Sequence, residues 1–166
     1  MLDRIAVDRQ QIEQINRQLQ EELTERTRAE QVLQYSSEHD ALTGLFNRRY
    51  FEATLANLRH IRTVGVGVIC CDLDGLKLVN DTFGHAAGDV MLQRTAAMLR
   101  EVLPEAALIA RVGGDEFVVL ITDVDESMLQ QAYKQFQTYK EAGATTAHAF
   151  PLQISVGYRY RAQCQP

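Results

Sequence analysis

The stretch LIARVGGDEFVVLIT, residues 108–122, decides the fold. Two short runs of apolar residues stand at its ends, and Gly-Gly-Asp-Glu occupies positions 113–116 between them. Short apolar runs joined by a few residues that include glycine predict a β-hairpin, here with strands at 108–112 and 117–122. Such a hairpin presents two neighbouring carboxylates at its tip.

A second acidic segment follows another apolar run. Residues 64–73 predict a buried strand that ends near Asp72 and Asp74, and residues 75–81 predict a turn. If this strand and the hairpin are neighbours in one sheet, their carboxylates offer hard oxygen ligands for Mg²⁺ or Mn²⁺. Mg²⁺ held in this way commonly binds substrate phosphate, which Lys77 can help to neutralise, so the pattern favours phosphoryl or nucleotidyl transfer. The alternative is an ordinary β-turn whose acids are solvated.

The remaining segments alternate helices with strands. Amphipathic spacing predicts helices over residues 48–59, 88–102 and 126–142, and a last apolar run predicts a strand over 152–158. The predicted order is helix, strand, helix, two hairpin strands, helix and strand. This order indicates an α+β domain over 39–166, with a mainly antiparallel sheet flanked by helices.

Residues 1–38 predict one long helix, because they contain no glycine or proline and are rich in Gln, Glu and Arg. Heptad positions form a weak seam in which polar residues interrupt the apolar ones: Ile5, Ile12, Ile15, Leu19, Ala29 and Leu33 are apolar, and Asp8, Glu22 and Arg26 are polar. We interpret this helix as a coiled-coil stalk that dimerises in parallel and passes a signal to the following domain. A solvated helix ordered only by its neighbours is the alternative.

Charge and hydropathy exclude two classes of partner. The 166 residues carry 17 Lys and Arg against 22 Asp and Glu, a net charge of −5, which leaves no basic surface for nucleic acid. No apolar run approaches the roughly 20 residues of a membrane-spanning helix, so we expect a cytoplasmic portion. Three cysteines do not make a disulfide framework, and the adjacent Cys70 and Cys71 are expected to be buried thiols.

Four motifs resemble, in order, those of the GGDEF-domain diguanylate cyclases. They are DALTGLFNRR at 40–49, DLDGLKLVND at 72–81, GHAAGD at 84–89 and RVGGDEF at 111–117. The resemblance implies a palm-like fold similar to the class III nucleotide cyclases, and the conversion of two GTP into cyclic di-GMP and two pyrophosphates. It also implies that each domain holds one GTP. We therefore expect a homodimer through the N-terminal helix and an upstream sensory domain in the full-length protein, which can be anchored to a membrane.

The resemblance further implies roles for single residues. The implied ligands of two Mg²⁺ or Mn²⁺ ions are Asp72, the main-chain carbonyl of Leu73, Asp115 and Glu116. The implied guanine-binding residues are Asn80 and Asp89, whose amide and carboxylate suit the N1–H and 2-amino edge of the base. Leu42 and Leu92 resemble the apolar wall of the base pocket, with an ordinary place in the core as the alternative. The implied phosphate-binding residues are Gly75, Leu76 and Lys77, and the implied catalytic residues are Asp115, Glu116 and Lys77.

Three features differ from the family pattern. Gly75-Leu76 stands where members often carry an aromatic residue, and residues 104–107 lack the Arg and Asp of an inhibitory product site, so we expect no inhibition there. The sequence also ends at Pro166, before the helix in which the family places a Lys and an Arg for the β- and γ-phosphates. We therefore expect these residues to bind GTP and to turn it over poorly.

Three alternatives to a diguanylate cyclase remain open. They are a GTP-binding regulatory domain without turnover, a purely structural dimerisation fragment, and a cyclase for another nucleotide. Asp72, Asp115 and Glu116 argue against the first of these. Asp89 argues against the last, because family branches that accept ATP are expected to differ at that position.

Overall fold

The computed structural model describes residues 2–61, 65–143 and 153–162. The chain divides into two compact units, Met1–Ser37 and Glu38–Pro166. A single helix, α1 (Leu2–Glu38), accounts for the first unit. The second unit contains the sheet and the candidate site.

Helices and strands alternate along the second unit. In chain order they are β1 (Phe46–Asn47), α2 (Arg48–His60), β2 (Val66–Asp74), α3 (Leu76–Phe83), α4 (His85–Val102), β3 (Leu108–Arg111), β4 (Glu116–Thr122), α5 (Glu126–Gly143) and β5 (Gln153–Arg161). Asn47 caps the N-terminus of helix α2, because its side chain accepts a hydrogen bond from the Tyr50 amide at 3.0 Å.

The strands form one sheet in the order β1-β3-β4-β2-β5. Strand β2 is antiparallel to both of its neighbours, and β3 is antiparallel to β4. Among the described strands, the two-residue β1 alone runs parallel to its neighbour, β3. The prediction of an α+β domain with a mainly antiparallel sheet is therefore confirmed.

The hydrophobic core decides which face of β2 carries its acids. On one face of the sheet, Ile69, Phe117 and Ile154 pack in a cluster with Leu99 of α4 and Phe136 of α5, and each is at most 1% exposed. Side chains alternate between the two faces of a strand. Toward the end of β2, the residues that alternate with the buried ones are exposed, and they are Cys70, Asp72 and Asp74.

Several elements differ from the sequence prediction. Residues 75–81 are not a turn, because helix α3 occupies Leu76–Phe83. No strand was expected at β1, since two residues cannot show a period-two alternation. Helix α4 begins at His85 rather than at residue 88, and β4 begins at Glu116 rather than at residue 117. These differences add one helix and one short strand and move two boundaries, and they leave the order of the predicted strands intact.

Helix α1 is continuous over 37 residues, as predicted. Its described side chains from position 13 to 36 are all exposed, including Ile15 at 46%, Leu19 at 51% and Leu23 at 64%. The side chains of Ile5, Asp8 and Ile12 lie outside the described set. No helix in the described ranges is long and apolar enough to cross a membrane.

Candidate active site

Strands β2 and β4 bring two of the predicted carboxylates opposite each other. In their antiparallel register Asp72 pairs with Glu116, and the Leu73 amide donates a hydrogen bond to the Asp115 carbonyl at 3.0 Å. Residues directly opposed on adjacent strands share a face, with Cβ atoms about 4.5–5.5 Å apart. Asp72 and Glu116 are also both exposed. The two carboxylates are therefore adjacent and open to a ligand.

Asp115 is placed less closely with them. It lies half-buried in the bend before β4, not in the strand itself. Within the described part of the chain, no three His, Cys, Asp or Glu side chains gather in an arrangement that could hold a metal ion. The structure thus pairs Asp72 with Glu116 and does not extend the pair to a three-carboxylate cluster with Asp115.

Asp74 has a partner that the sequence does not reveal. The Ser155 hydroxyl lies 3.0 and 3.1 Å from the two carboxylate oxygens of Asp74. Ser155 is itself the β5 residue opposite Asp72. No sequence signal connects these residues, because 81 positions separate Asp74 from Ser155. The contact holds the end of β2 against β5 beside the paired carboxylates.

An open pocket of about 360 Å³ lies along this part of the sheet. Its lining includes Cys70, Asp72, Glu116, Ser155 and Gly157. Cys70 pairs with Gly157 in the β2–β5 register, and a Cβ added at Gly157 would meet nothing within 4 Å. The paired carboxylates therefore face a space that a small ligand can enter.

The prediction that both adjacent thiols are buried is wrong for Cys70. Cys71 is 3% exposed in the core, whereas Cys70 is exposed on the pocket face. Burial, and to a smaller extent the neighbouring Cys70, raises the pKa of the Cys71 thiol to about 12. Partial burial and then the negative charge of Glu116 raise the pKa of Cys70. Both groups are therefore protonated thiols at neutral pH.

The first glycine of the bend makes room for a carboxylate. A Cβ at Gly113 would overlap Oε2 of Glu116 and would lie 3.1 Å from the Glu116 Cβ. The Val112 and Gly113 amides also donate to the Glu116 carbonyl, at 2.9 and 3.4 Å. At Gly114, by contrast, an added Cβ would meet nothing within 4 Å. Gly113 thus sets the place of the Glu116 side chain, and Gly114 leaves backbone open to solvent.

The predicted phosphate-binding residues stand at the start of α3. Gly75 joins β2 to this helix with φ +80°, in the left-handed region that favours glycine. Leu76 and Lys77 are the first two helical residues, and Lys77 is exposed. The first amides of a helix have no acceptor within the helix and lie at its positive end. The acidic end of β2 is thus followed at once by groups that attract an anion.

The predicted guanine-binding residues lie on two helices that contact each other, α3 and α4. Asn80 is half-buried on α3 and Asp89 is exposed on α4. Oδ1 of Asn80 is buried and has no hydrogen-bond partner among the described residues. A buried acceptor without a partner costs about 1–3 kcal/mol of stability. Among the described residues, the buried polar side-chain atom without a partner therefore belongs to a residue that is predicted to bind the base.

The two leucines predicted for the base pocket also belong to the core. Leu92 is 4% exposed in the core cluster, and the half-buried Leu42 packs against the same cluster. The Leu42 carbonyl accepts a hydrogen bond from Nε2 of Gln93 at 3.3 Å. Their role as the wall of a base pocket stays a prediction.

Arg111 connects two of the four motifs through contacts that the sequence does not reveal. Its Nε and Nη2 donate to the Gly114 carbonyl at 3.3 and 2.7 Å, and its Nη1 lies 3.3 and 3.4 Å from the carboxylate oxygens of Asp40. The Arg111 and Asp40 side chains are 15% and 25% exposed. The ion pair therefore ties the glycine bend to the loop that follows α1 in sequence.

Asp40 also organises its own loop. One of its carboxylate oxygens accepts hydrogen bonds from the Thr43 amide at 2.9 Å and the Thr43 hydroxyl at 2.6 Å. Burial by itself raises the pKa of Asp40, but the hydrogen bonds from Thr43 and the charge and hydrogen bond of Arg111 together lower it below its usual 3.8. The loop and the ion pair thus favour the ionised carboxylate.

The sequence pattern of the diguanylate cyclase GGDEF domain matches residues 37–163. The chain belongs to the GGDEF-domain family. The matched region includes the paired carboxylates, the start of α3 and the α3–α4 pair, so every predicted site residue of this GGDEF domain lies within it. Almost all of α1 precedes it.

Curated relatives of this GGDEF domain carry two kinds of name. The chain is 41% identical over 108 residues to the probable diguanylate cyclase DgcE of Escherichia coli K12, an alignment covering 62% of this chain and 10% of DgcE. It is 36% identical over 110 residues to the cyclic di-GMP phosphodiesterase PdeR of the same organism, covering 66% of this chain and 17% of PdeR. The chain thus spans between about a tenth and a fifth of the length of such relatives.

A solved structure shares both the helix and the domain. The coiled coil and GGDEF domain of DgcB from Caulobacter crescentus, in complex with c-di-GMP, superposes with a TM-score of 0.72 at 22% identity. The match covers 90% of this chain and 84% of that chain. At this identity the likeness concerns the fold, and it confirms the prediction of a palm-like domain preceded by a long helix.

Proposed function

We propose that this GGDEF domain is a diguanylate cyclase that condenses two GTP molecules into cyclic di-GMP and two pyrophosphates. The observation that supports the proposal most is the register that sets Asp72 opposite Glu116 where β2 runs into α3. Carboxylates bind a divalent cation, and the amides at a helix N-terminus bind phosphate. The two together suit a metal-bound triphosphate.

The residues at this edge of the sheet fit Mg²⁺ or Mn²⁺. Asp72 and Glu116 offer hard oxygens from adjacent strands, and Mg²⁺ usually takes one or two carboxylates from the protein. We include the Leu73 carbonyl and Asp115 in the proposed ligand set, for two ions. When bound, the ions lower the pKa of the attacking hydroxyl and neutralise the leaving pyrophosphate.

Each turnover forms two phosphodiester bonds. In each step the 3′ oxygen of one GTP attacks the α-phosphorus of the other, the bond from that phosphorus to the bridging oxygen breaks, and pyrophosphate leaves. The hydroxyl proton passes to water or to a carboxylate of the site, for which the exposed Glu116 and the half-buried Asp115 are the candidates. Gly75, Leu76 and Lys77 hold the triphosphate, and the ammonium of Lys77 stabilises the negative charge that grows on the leaving group.

Guanine specificity is assigned to Asn80 and Asp89. The Asp89 carboxylate accepts hydrogen bonds from the N1–H and the 2-amino group, and the Asn80 amide can donate and accept. Adenine lacks this pair of donors, so ATP would leave polar groups of the site without partners. A site built on such hydrogen bonds rejects the wrong base strongly.

A homodimer is part of the proposal, because two GTP molecules held in separate domains must meet. The exposed apolar residues Ile15, Leu19 and Leu23 of α1 offer a second copy a surface to cover. Joining two domains by a parallel coiled coil raises the concentration of each around the other, to about the millimolar range for a short linker.

A second candidate function is a GTP-binding regulatory domain without turnover. The similarity to PdeR favours it, because a similar domain occurs in a protein named as a phosphodiesterase. The two functions share GTP binding and differ in product formation.

The deciding experiment incubates the protein with GTP and Mg²⁺ and identifies the products by chromatography and mass spectrometry. We expect the parent protein to form cyclic di-GMP and pyrophosphate slowly, and Asp72→Asn to form them at least about 10²-fold more slowly with an unchanged unfolding temperature. The matched control is Glu105→Gln, which removes the same charge from an exposed position outside the site. GTP binding without product would favour the regulatory function, and no GTP binding would contradict both.

A further inference from the structure

Gly88 occupies a helical position where glycine has no backbone reason to be. It is the fourth residue of α4 and is buried. It does not belong to the glycines with positive φ, so the backbone there also suits alanine. Glycine inside a helix is less stable than alanine, because it loses more conformational freedom. The reason for a glycine must therefore lie in its neighbours.

The neighbour that needs the space is the Asn80 amide. A Cβ at Gly88 would overlap Oδ1 of Asn80 and would lie 2.9 Å from Cγ of the same side chain. It would also lie 3.1 Å from Cδ1 of Leu76. The amide thus occupies the volume that an alanine methyl group would fill. Approach of this kind, with an oxygen against a glycine Cα, is found where helices pack closely.

A second observation concerns the same atom. Oδ1 of Asn80 is buried without a hydrogen-bond partner in the described part of the chain. Packing alone does not favour an amide in such a place, since an apolar side chain would fill it at no polar cost. The terminal torsion of asparagine is soft, so the amide can turn to present its oxygen to a donor that arrives. The arrangement is suited to a ligand with polar hydrogens.

We infer that Gly88 is a positioning residue for guanine recognition, because its missing side chain gives the Asn80 amide its place between α3 and α4. The inference rests on the proposed function, in which Asn80 binds the base. Asp89 follows Gly88 directly, so the same turn of α4 carries the Asp89 carboxylate and the space for the Asn80 amide. A methyl group at position 88 would force the amide out of this place or would separate the two helices.

The experiment measures the binding of GTP with Mg²⁺ to the 166-residue chain, by calorimetry, in a double-mutant cycle. The four proteins are the parent, Gly88→Ala, Asn80→Ala and the double variant. Inorganic triphosphate is titrated beside GTP, because it lacks the base. Ala97→Ser is the matched control, since it also adds one atom to α4, at an exposed position about two and a half turns further along.

We expect Gly88→Ala and Asn80→Ala each to weaken GTP binding by about tenfold, the usual effect of losing one hydrogen bond of this kind. We expect the double variant to be no weaker than Asn80→Ala, because the methyl group then meets no amide. Binding of triphosphate should stay unchanged in all four, as should GTP binding by Ala97→Ser.

Parental GTP affinity in Gly88→Ala would overturn the inference, and so would additive losses in the double variant. If Gly88→Ala does not fold, recovered folding in the Asn80→Ala background supports the contact with the amide, and no recovery contradicts it. A parent protein that binds triphosphate but not GTP, or neither, would instead overturn the proposed function. The two failures are therefore distinguishable.

Discussion

Asp40 shows how one carboxylate can hold together two segments that are distant in sequence. It accepts hydrogen bonds from Thr43 in its own loop and pairs with Arg111, which also binds the Gly114 carbonyl at 2.7 Å. Because these contacts lower the pKa of Asp40 below 3.8, the ionised carboxylate is stabilised in the folded state. Its contribution to stability is therefore present above about pH 4 and is lost as the pH falls through the lowered pKa.

We predict that Asp40→Asn lowers the free energy of unfolding at pH 7 by about 1 kcal/mol, after allowance for solvent screening. The difference from the parent protein should shrink as the pH falls below about 4, because the parent carboxylate then becomes neutral as well. Urea denaturation at a series of pH values measures both quantities. Glu105→Gln is the control, with the same change of charge at an exposed position, and a constant difference between pH 7 and pH 3 would contradict the prediction.

Cys70 reports on the charge of Glu116. Both residues line the open pocket, and the negative charge of Glu116 is one of the causes that raise the pKa of Cys70. We predict that Glu116→Gln lowers the pKa of Cys70 and so speeds its alkylation by iodoacetamide at pH 8, because the thiolate is the reactive form. Cys164→Ser serves as the background for both proteins, and mass spectrometry locates the label. An unchanged rate would show that the two groups do not interact.

The sequence predicts the acidic residues of the site better than it predicts the residues that hold the site together. Asp72 and Glu116 can be found because they flank apolar runs of strand residues, where a carboxylate is costly unless it has a role. Arg111 and Ser155 cannot, since their partners lie far away in sequence and no local pattern encodes the pairing. Cys70 could have been placed outside the core, because alternation puts it opposite the buried Cys71 and on the face of Asp72.

Among the helices and strands, the length of each element determines whether the sequence predicts it. Helix α1 has 37 residues with no glycine or proline among them, so the sequence alone predicts it. Helix α3 has eight residues, about two turns, so its period is hidden and Gly75 before it suggests a turn. Strand β1 has two residues and is defined by its pairing with β3. Such short elements depend on contacts made by the rest of the fold.

The heptad register of helix α1 can be changed to test whether this helix controls turnover. We predict that four residues inserted after Leu19 change cyclisation while leaving the affinity for GTP unchanged, because they shift the apolar seam around the helix. Two reacting groups displaced by about 1 Å can lose ~10²-fold in rate. Insertion of seven residues at the same place is the matched control, since it keeps the heptad. Turnover is measured with GTP and Mg²⁺, and equal rates for the two insertions would mean that α1 is only a tether.

For the whole molecule, the proposed reaction requires two copies of the chain. One domain with one GTP holds only one 3′-hydroxyl and one α-phosphate, and the product needs two of each. Turnover per chain should therefore rise with protein concentration until the dimer is fully formed, whereas the binding of GTP to each domain should not. The exposed apolar residues of α1 are the part of the described surface that we assign to the proposed dimer.

We predict that Leu19→Glu weakens self-association and lowers turnover at low protein concentration. Burial of one leucine side chain is worth about 1.5–3 kcal/mol, and a symmetric dimer loses two, so the dissociation constant should rise by roughly two to four orders of magnitude. Gln20→Glu is the matched control, because it adds the same charge at the next position, outside the seam. Sedimentation velocity gives the association state, and turnover is measured over a range of protein concentrations. Concentrating the Leu19→Glu protein should restore its activity, since the site in each domain is intact; a variant that stays monomeric at the parental turnover would show that the reaction does not need α1.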